Sequence, residues 1–204
     1  MDASRSAVRD ELGNSKAAAR IRAAAIEVFA AKGYGAAGTR EIAASIGMSP
    51  GAVYPHYKTK EALLFAISLE GHSSVLDAVT AADHAEASAT DRLISTVNAF
   101  VRWHADNHTG ARVAQYELRS LSPEHFAVIA DIRRSTSRIF SSIIEIGATV
   151  GEFDPVDAGV ATLAITSLGV DVSRWFPSNT YSDADAIAAG YVELALRMVG
   201  ARRA

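Results

Sequence analysis

Hydrogen-bond donors suited to phosphate oxygens are concentrated in one short stretch, residues 38–60. The side chains that carry them are hydroxyls, an imidazole and an ammonium, at Thr39, Ser49, Tyr54, His56, Tyr57 and Lys60. Such groups fix the register of a protein on a nucleic-acid backbone. The donors surround Pro50, Gly51 and Ala52, which are small enough to let the backbone approach a groove closely. The stretch therefore predicts a DNA interface, with Thr39, Arg40, Pro50, Gly51 and Ala52 nearest the groove.

Two short helices joined by a tight turn are expected to position these side chains. Thr39 has the side chain of a helix N-cap, and Gly47 tolerates the positive φ of a sharp turn. Ser49 and Pro50 restart the chain as N-cap and first helical residue, so a second helix is expected through residues 51–54. Pro55 disfavours the α region for Tyr54, and the second helix should end there. This predicts a helix-turn-helix over residues 38–57, with its second helix in a major groove.

The same residues carry a family resemblance. Residues 49–64, Ser-Pro-Gly-Ala-Val-Tyr-Pro-His-Tyr-Lys-Thr-Lys-Glu-Ala-Leu-Leu, resemble the recognition-helix signature of the TetR family of transcriptional repressors. Residues 20–34 resemble that family's first helix, and the match covers about residues 15–75. The resemblance implies a DNA-binding domain at 15–75 and a ligand-binding and dimerisation domain at 76–204. An ordinary helical hairpin is the alternative.

Composition and charge agree with a soluble DNA-binding protein. The chain has a net charge of −3, but residues 1–60 hold nine Lys and Arg against five Asp and Glu, and residues 61–204 hold eleven against eighteen. A basic N-terminal part on an acidic remainder is typical of a DNA-facing module attached to a second function.

There is no cysteine, which excludes disulfides and thiolate metal sites. The sequence shows neither a signal peptide nor an apolar run of about 18 residues, so a cytoplasmic protein without membrane contact is expected. Residues 1–14 are polar and predict a mobile arm.

The remainder predicts an all-α protein of about nine helices, because apolar residues recur at helical spacing and no stretch alternates as a strand. The resemblance implies a pocket for a small-molecule effector among the middle helices. Candidate lining residues are Phe100, Trp103, His104, Tyr116, Phe126, Ile129, Arg133, Phe140 and Trp175. An aromatic or aliphatic stripe at this spacing also fits an ordinary core. Arg119, Arg133, Arg134 and Arg138 could meet an anionic, acyl-CoA-like ligand or form a solvated face.

A homodimer is expected from the last two helices. Residues 156–172 are apolar nearly all round, and residues 187–198 add a second apolar stripe, which is more than one buried face requires. The resemblance implies a four-helix interface across a two-fold axis, with Leu163, Leu168, Tyr191, Leu194 and Met198 as candidates. Two recognition helices about 34 Å apart would then read a palindromic operator. A monomeric core helix is the alternative.

Other chemistries have weak support in the sequence. His104 and His108 are four residues apart, a spacing that can chelate zinc, but no third ligand is evident and neither a metal nor a cofactor is predicted. No catalytic motif supports an all-α enzyme. A DNA-binding regulator or activator without a ligand switch is the remaining alternative to a ligand-released repressor.

Overall fold

The computed structural model describes residues 15–201, and within this range the chain is all α-helical with no β-strand. The predicted fold class is confirmed. The predicted arm at residues 1–14 lies outside the described residues. The helices are α1 (Lys16–Lys32), α2 (Thr39–Ser45), α3 (Lys60–Ala82), α4 (Ala89–Asp106), α5 (His108–Tyr116), α6 (Pro123–Thr149), α7 (Ala158–Trp175) and α8 (Ala184–Met198), with short 3₁₀ turns at Pro50–Ala52 and Leu118–Ser120.

Local signals set most of the helix ends. Ser15 accepts a hydrogen bond from the Ala18 backbone N–H at 3.1 Å and begins α1, and Gly33 ends it with φ of 78°. Thr59 Oγ1 accepts from the Ala62 N–H at 2.9 Å and begins α3. One predicted cap was wrong. Thr39 is the first residue of α2, whose N-cap is Gly38 without a side-chain bond.

Of the two aspartates before α7, Asp154 and Asp157, it is Asp157 that caps the helix, accepting from the Val160 N–H at 2.8 Å. Both aspartates precede the apolar run, so the sequence alone does not say which of them caps α7. The Asp154 backbone is bonded to a residue far along the chain, since its N–H donates to the Val199 carbonyl at 2.9 Å.

The chain divides into two compact units. The first unit consists of residues up to 72 together with 109–130, and the second of 73–108 together with residues from 131 onward. Helices α3 and α6 therefore each contribute residues to both units. Residues 109–130 were not expected with the N-terminal residues, because the helical pattern around them resembles that of the rest of the C-terminal part.

The second unit has an apolar core from five helices. α4 supplies Leu93, Val97 and Phe100, and the same cluster contains Val79 of α3, Phe140 and Ile143 of α6, Ile165 of α7 and Val192 of α8. Gly169 of α7 lies directly against the Phe100 ring, where a Cβ would be 2.6 Å from ring carbons. Burial of these side chains supplies most of the stability of the unit. Among the described residues, only α3 is long and apolar enough to cross a membrane, and half of its most apolar window is buried inside the protein, as in many core helices.

Candidate nucleic-acid interface

The segment that follows α2 is a tight 3₁₀ turn rather than a second α-helix. The Ala52 and His56 N–H groups donate to carbonyls three residues back, at Ser49 and Val53, with distances of 3.0 Å. Only the Tyr57 N–H reaches four residues back, to Val53 at 2.9 Å. Pro55 has no N–H for an α-helical bond and restricts Tyr54. An α-helix was expected over residues 51–54, and this prediction was wrong because the segment is a 3₁₀ turn. No α-helix continues past Pro55 before α3 begins at Lys60.

A glycine turn and three apolar side chains hold this segment against α2. Gly47 has φ of 69°, in the left-handed region that costs other residues free energy. The turn lets the Met48 N–H donate to the Ala43 carbonyl at 2.9 Å. Ile42, Ala43 and Val53 are fully buried, so α2 and the recognition segment 49–57 share a small core.

The outer surface of α2 and the recognition segment carries most of the predicted DNA-contacting residues. Arg40, Ser49, Pro50 and Gly51 are exposed, and the Tyr54 side chain is 52% exposed. Thr39, Ala52 and His56 are half-buried at the same surface. Their roles in binding remain predictions, but each presents atoms that a DNA backbone could reach.

Tyr57 faces inward. Its ring is 3% exposed, and its hydroxyl accepts a hydrogen bond from Arg22 Nη1 at 2.7 Å and lies 3.4 Å from the Ala18 carbonyl. Burial raises the pKa of the Tyr57 hydroxyl, and the neighbouring Arg22 partly offsets that rise. The phosphate contact predicted for Tyr57 would require this hydroxyl to leave its protein partners.

Arg22 is a charged side chain on the buried side of α1. Arg22 makes a bidentate ion pair with Glu70 of α3, at 2.7 Å from Nε and 3.2 Å from Nη2. Burial alone would lower the pKa of Arg22, but the bonds to Glu70 and Tyr57 outweigh it and the pKa is raised. Arg22 therefore stays charged and joins α1, α3 and the end of the recognition segment.

Lys60 also has protein partners. Its Nζ donates to the carbonyls of Tyr34 at 2.8 Å, Ala37 at 3.0 Å and Gly35 at 3.4 Å, and lies 4.3 Å from the centre of the Tyr34 ring. The ammonium thus ties the loop between α1 and α2 to the first turn of α3. Its predicted phosphate contact remains untested, and the structure adds a role in holding this loop.

Residues 109–130 complete the first unit through α3. Glu61 Oε1 accepts from the Ser122 N–H at 2.9 Å and lies 2.7 Å from His125 Nδ1. The His125 ring stacks on Phe65 at 3.7 Å between centroids. Sequence reasoning missed this contact and the Arg22–Glu70 pair because the partners are far apart in the chain.

The predicted pocket residues fall into both units. Tyr116, Phe126 and Ile129 belong to the first unit; Tyr116 and Phe126 are about half exposed, and Ile129 is buried. Phe100, Trp103, His104, Arg133, Phe140 and Trp175 belong to the second. There, Phe100 packs edge-to-face on Phe140 and His104 at 5.3 Å and 4.5 Å. Their role as ligand contacts remains a prediction.

The charged and histidine candidates near these residues have ordinary protein partners. His104 Nδ1 and His108 Nδ1 lie 2.8 Å from the carbonyls of Phe100 and Ala105. No cluster of potential metal ligands occurs within residues 15–201. Arg134 is paired with Asp131 on the surface, whereas burial lowers the pKa of Arg133.

The predicted dimer residues include three exposed leucines of the second unit. The side chains of Leu163, Leu168 and Leu194 are 66%, 39% and 44% exposed, which is unusual for leucines on the two most apolar C-terminal helices. Tyr191 and Met198 are half-buried and pack against the core. An exposed apolar surface of this kind fits a protein interface.

Together, an all-α fold and a glycine-turned segment with an exposed polar surface define a helix-turn-helix DNA-binding regulator. The model for bacterial regulatory proteins of the tetR family matches residues 21–67, and the tetracyclin repressor-like C-terminal domain model matches residues 86–199, over half of the chain. The chain belongs to the TetR family of transcriptional regulators.

Known relatives agree with this assignment. A solved TetR-family regulatory protein from Rhodococcus RHA1 is 75% identical, covers 93% of this chain and 100% of its own, and superposes with a TM-score of 0.91. The HTH-type transcriptional activator FasR of Mycolicibacterium smegmatis is 25% identical over 173 residues, which are 84% of this chain and 78% of that protein. AibR, solved with isovaleryl coenzyme A and operator DNA, shares the fold at 21% identity and a TM-score of 0.78, over 90% of this chain and 100% of its own.

Proposed function

We propose that this regulator is a cytoplasmic, homodimeric repressor that binds a palindromic operator and releases it when an apolar, acyl-CoA-like effector binds. The observation that carries the DNA-binding part is the exposed surface of the first unit. Arg40, Ser49 and Tyr54 surround the small residues Pro50 and Gly51 and offer a guanidinium and two hydroxyls to DNA. Gly51 has no side chain, which allows its backbone to approach base edges closely.

The exposed leucines of α7 and α8 support the proposed dimer. A two-fold interface pairs the same surface of two subunits, and Leu163, Leu168 and Leu194 would then be buried against their copies. Dimerisation also supplies the second recognition segment that a palindromic site requires.

The effector proposal depends on the second unit and on the relatives. The aromatic cluster around Phe100 and Phe140 offers apolar surface, and the partly buried cation of Arg133 could attract an anionic group. AibR was solved with an acyl coenzyme A and operator DNA. An effector of this class would release DNA only if it bound the DNA-free conformation more tightly than the DNA-bound one.

A gel-shift assay on the DNA flanking its own coding region, with and without a panel of acyl coenzyme A thioesters, tests the proposal. Specific binding that one thioester relieves is the expected result. Binding that no thioester relieves would refute the effector class. An Arg40→Ala variant, which removes an exposed guanidinium from α2, should weaken binding, with Arg112→Ala on α5 as a charge-matched control.

An activator is the second candidate, because one relative is named a transcriptional activator. Deleting the gene separates the two functions at any promoter that the protein binds. Transcription should rise in the deletion strain if the protein represses and fall if it activates. An enzymatic function is not proposed.

A further inference from the structure

We propose that Arg22, Glu70 and Tyr57 form a positioning triad that holds the recognition segment in the orientation needed to discriminate operator from other DNA. The triad rests on the proposed DNA-binding function and adds residues that do not themselves touch DNA. Arg22 is 7% exposed and Tyr57 3%. Both therefore act from beneath the surface that Ser49, Gly51 and Tyr54 present.

The geometry connects three elements through one guanidinium. Nε and Nη2 of Arg22 bind the two carboxylate oxygens of Glu70, and Nη1 binds the Tyr57 hydroxyl at 2.7 Å. Arg22 lies on α1, Glu70 lies three turns into α3, and Tyr57 is the last residue of the recognition segment. A planar guanidinium with one forked contact and one single hydrogen bond fixes direction as well as distance.

The recognition segment needs such a fixed point because its own backbone provides few constraints. It is a 3₁₀ turn without a run of α-helical hydrogen bonds, and such turns have poorer hydrogen-bond geometry than an α-helix. Val53 anchors its middle by burial. At its end, Tyr57 is held by ring burial, by the 2.7 Å bond from Arg22 and by a longer bond that its hydroxyl donates to the Ala18 carbonyl at 3.4 Å, so loss of the bond from Arg22 should loosen the hydroxyl end of the segment.

Base discrimination depends on orientation more than phosphate attraction does. Contacts to base edges require a side chain to meet a defined pattern of donors and acceptors, whereas phosphate contacts are the same on every sequence and carry no sequence information. A loosened segment should therefore lose operator affinity while its affinity for unrelated DNA stays nearly constant. A residue that only stabilises the fold would lower the melting temperature without changing this ratio.

The experiment measures the affinity of the full-length protein for an operator selected from a random duplex library and for a scrambled duplex, at constant salt. Tyr57→Phe removes one hydroxyl and keeps the buried ring, and Glu70→Gln removes one charge at a half-exposed site. Each should weaken operator binding about tenfold, which is the lower limit for one hydrogen bond to a charged group, and leave scrambled-DNA binding unchanged. Glu27→Gln, an exposed carboxylate change on α1, is the matched control.

A double-mutant cycle separates positioning from direct phosphate contact by Tyr57. In an Arg22→Met background, Tyr57→Phe should have a much smaller effect than in the wild type, because the bond from Arg22 is already absent and only the long bond to the Ala18 carbonyl, 3.4 Å, remains to be lost. A persistent loss in that background, shared by operator and scrambled duplex, would overturn the proposal in favour of phosphate contact. An unchanged operator-to-scrambled ratio in Tyr57→Phe and Glu70→Gln would also overturn it. A wild-type protein that selects no operator would instead refute the proposed function itself.

Discussion

Replacement of Lys60 by methionine separates two possible roles of this ammonium. Methionine keeps most of the side-chain length but removes the donor that binds the Tyr34 carbonyl at 2.8 Å and the Ala37 carbonyl at 3.0 Å. It also removes the cation that lies 4.3 Å from the Tyr34 ring centre. The loop between α1 and α2 would then keep carbonyls that have lost a charged partner.

The expected loss of stability follows from these contacts. A hydrogen bond to a charged group contributes about 1.5–3 kcal/mol, and a partly exposed cation–π contact about 0.5–1 kcal/mol. Because the carbonyls that lose this donor are partly open to water, we expect a total loss of unfolding free energy near the lower limit, about 2 kcal/mol. For a chain of this size that corresponds to a fall in melting temperature of roughly 4–8 °C.

Calorimetry and the salt dependence of DNA binding provide the assay. If Lys60 acts mainly on the loop, Lys60→Met lowers the melting temperature while the slope of log affinity against log salt stays at the wild-type value. Loss of a phosphate contact would instead reduce that slope by about 0.9. A reduced slope with an unchanged melting temperature would refute the structural role. Lys58→Met, an exposed lysine two residues away, controls for the charge change.

Three further predictions test other parts of the fold. Gly47→Ala should destabilise the protein by about 1 kcal/mol in denaturant unfolding, because φ of 69° is strained for alanine, whereas Gly35→Ala should not; equal stability would contradict the strained turn. Leu163→Asp should halve the mass measured by light scattering, whereas Val128→Asp should not. Hydrogen bonds from Thr90 lower the pKa of Glu152 below its ordinary 4.5, so its contribution to stability is present above pH 4.5 and disappears as pH falls. The difference in unfolding free energy between wild type and Glu152→Gln should therefore shrink as the pH falls. A difference that stays constant from pH 7 to 3 would contradict the stabilising role of the Glu152 carboxylate.

The sequence predicted the elements whose signals are local. Gly47 acts on atoms within a few residues, and its position alone located the turn after α2. Thr39 shows the limit of this approach, because its side chain suits a cap but Gly38 occupies that position. Pro55 was a sequence signal for the 3₁₀ form of the recognition segment. We expected it to end an α-helix, whereas the structure has no α-helix there.

The contacts that join the elements could not be predicted in the same way. Arg22 and Glu70 are 48 residues apart, and no pattern in one stretch announces a partner in another. An arginine beside the apolar Ile21 on α1 was the available signal for a buried ion pair. The aromatic stripe containing Phe100 was equally ambiguous, since helical spacing is the same for a core and for the wall of a pocket.

The composition of the first unit from two separate segments affects how this regulator can be recombined with others. A chimera that joins its N-terminal 72 residues to a foreign sensor would lack residues 109–130. Glu61 would lose Ser122 and His125, and Phe65 would lose the ring stacked on it. Transplanting the operator specificity alone therefore calls for grafting the recognition surface into an intact relative, not for cutting the chain between the units.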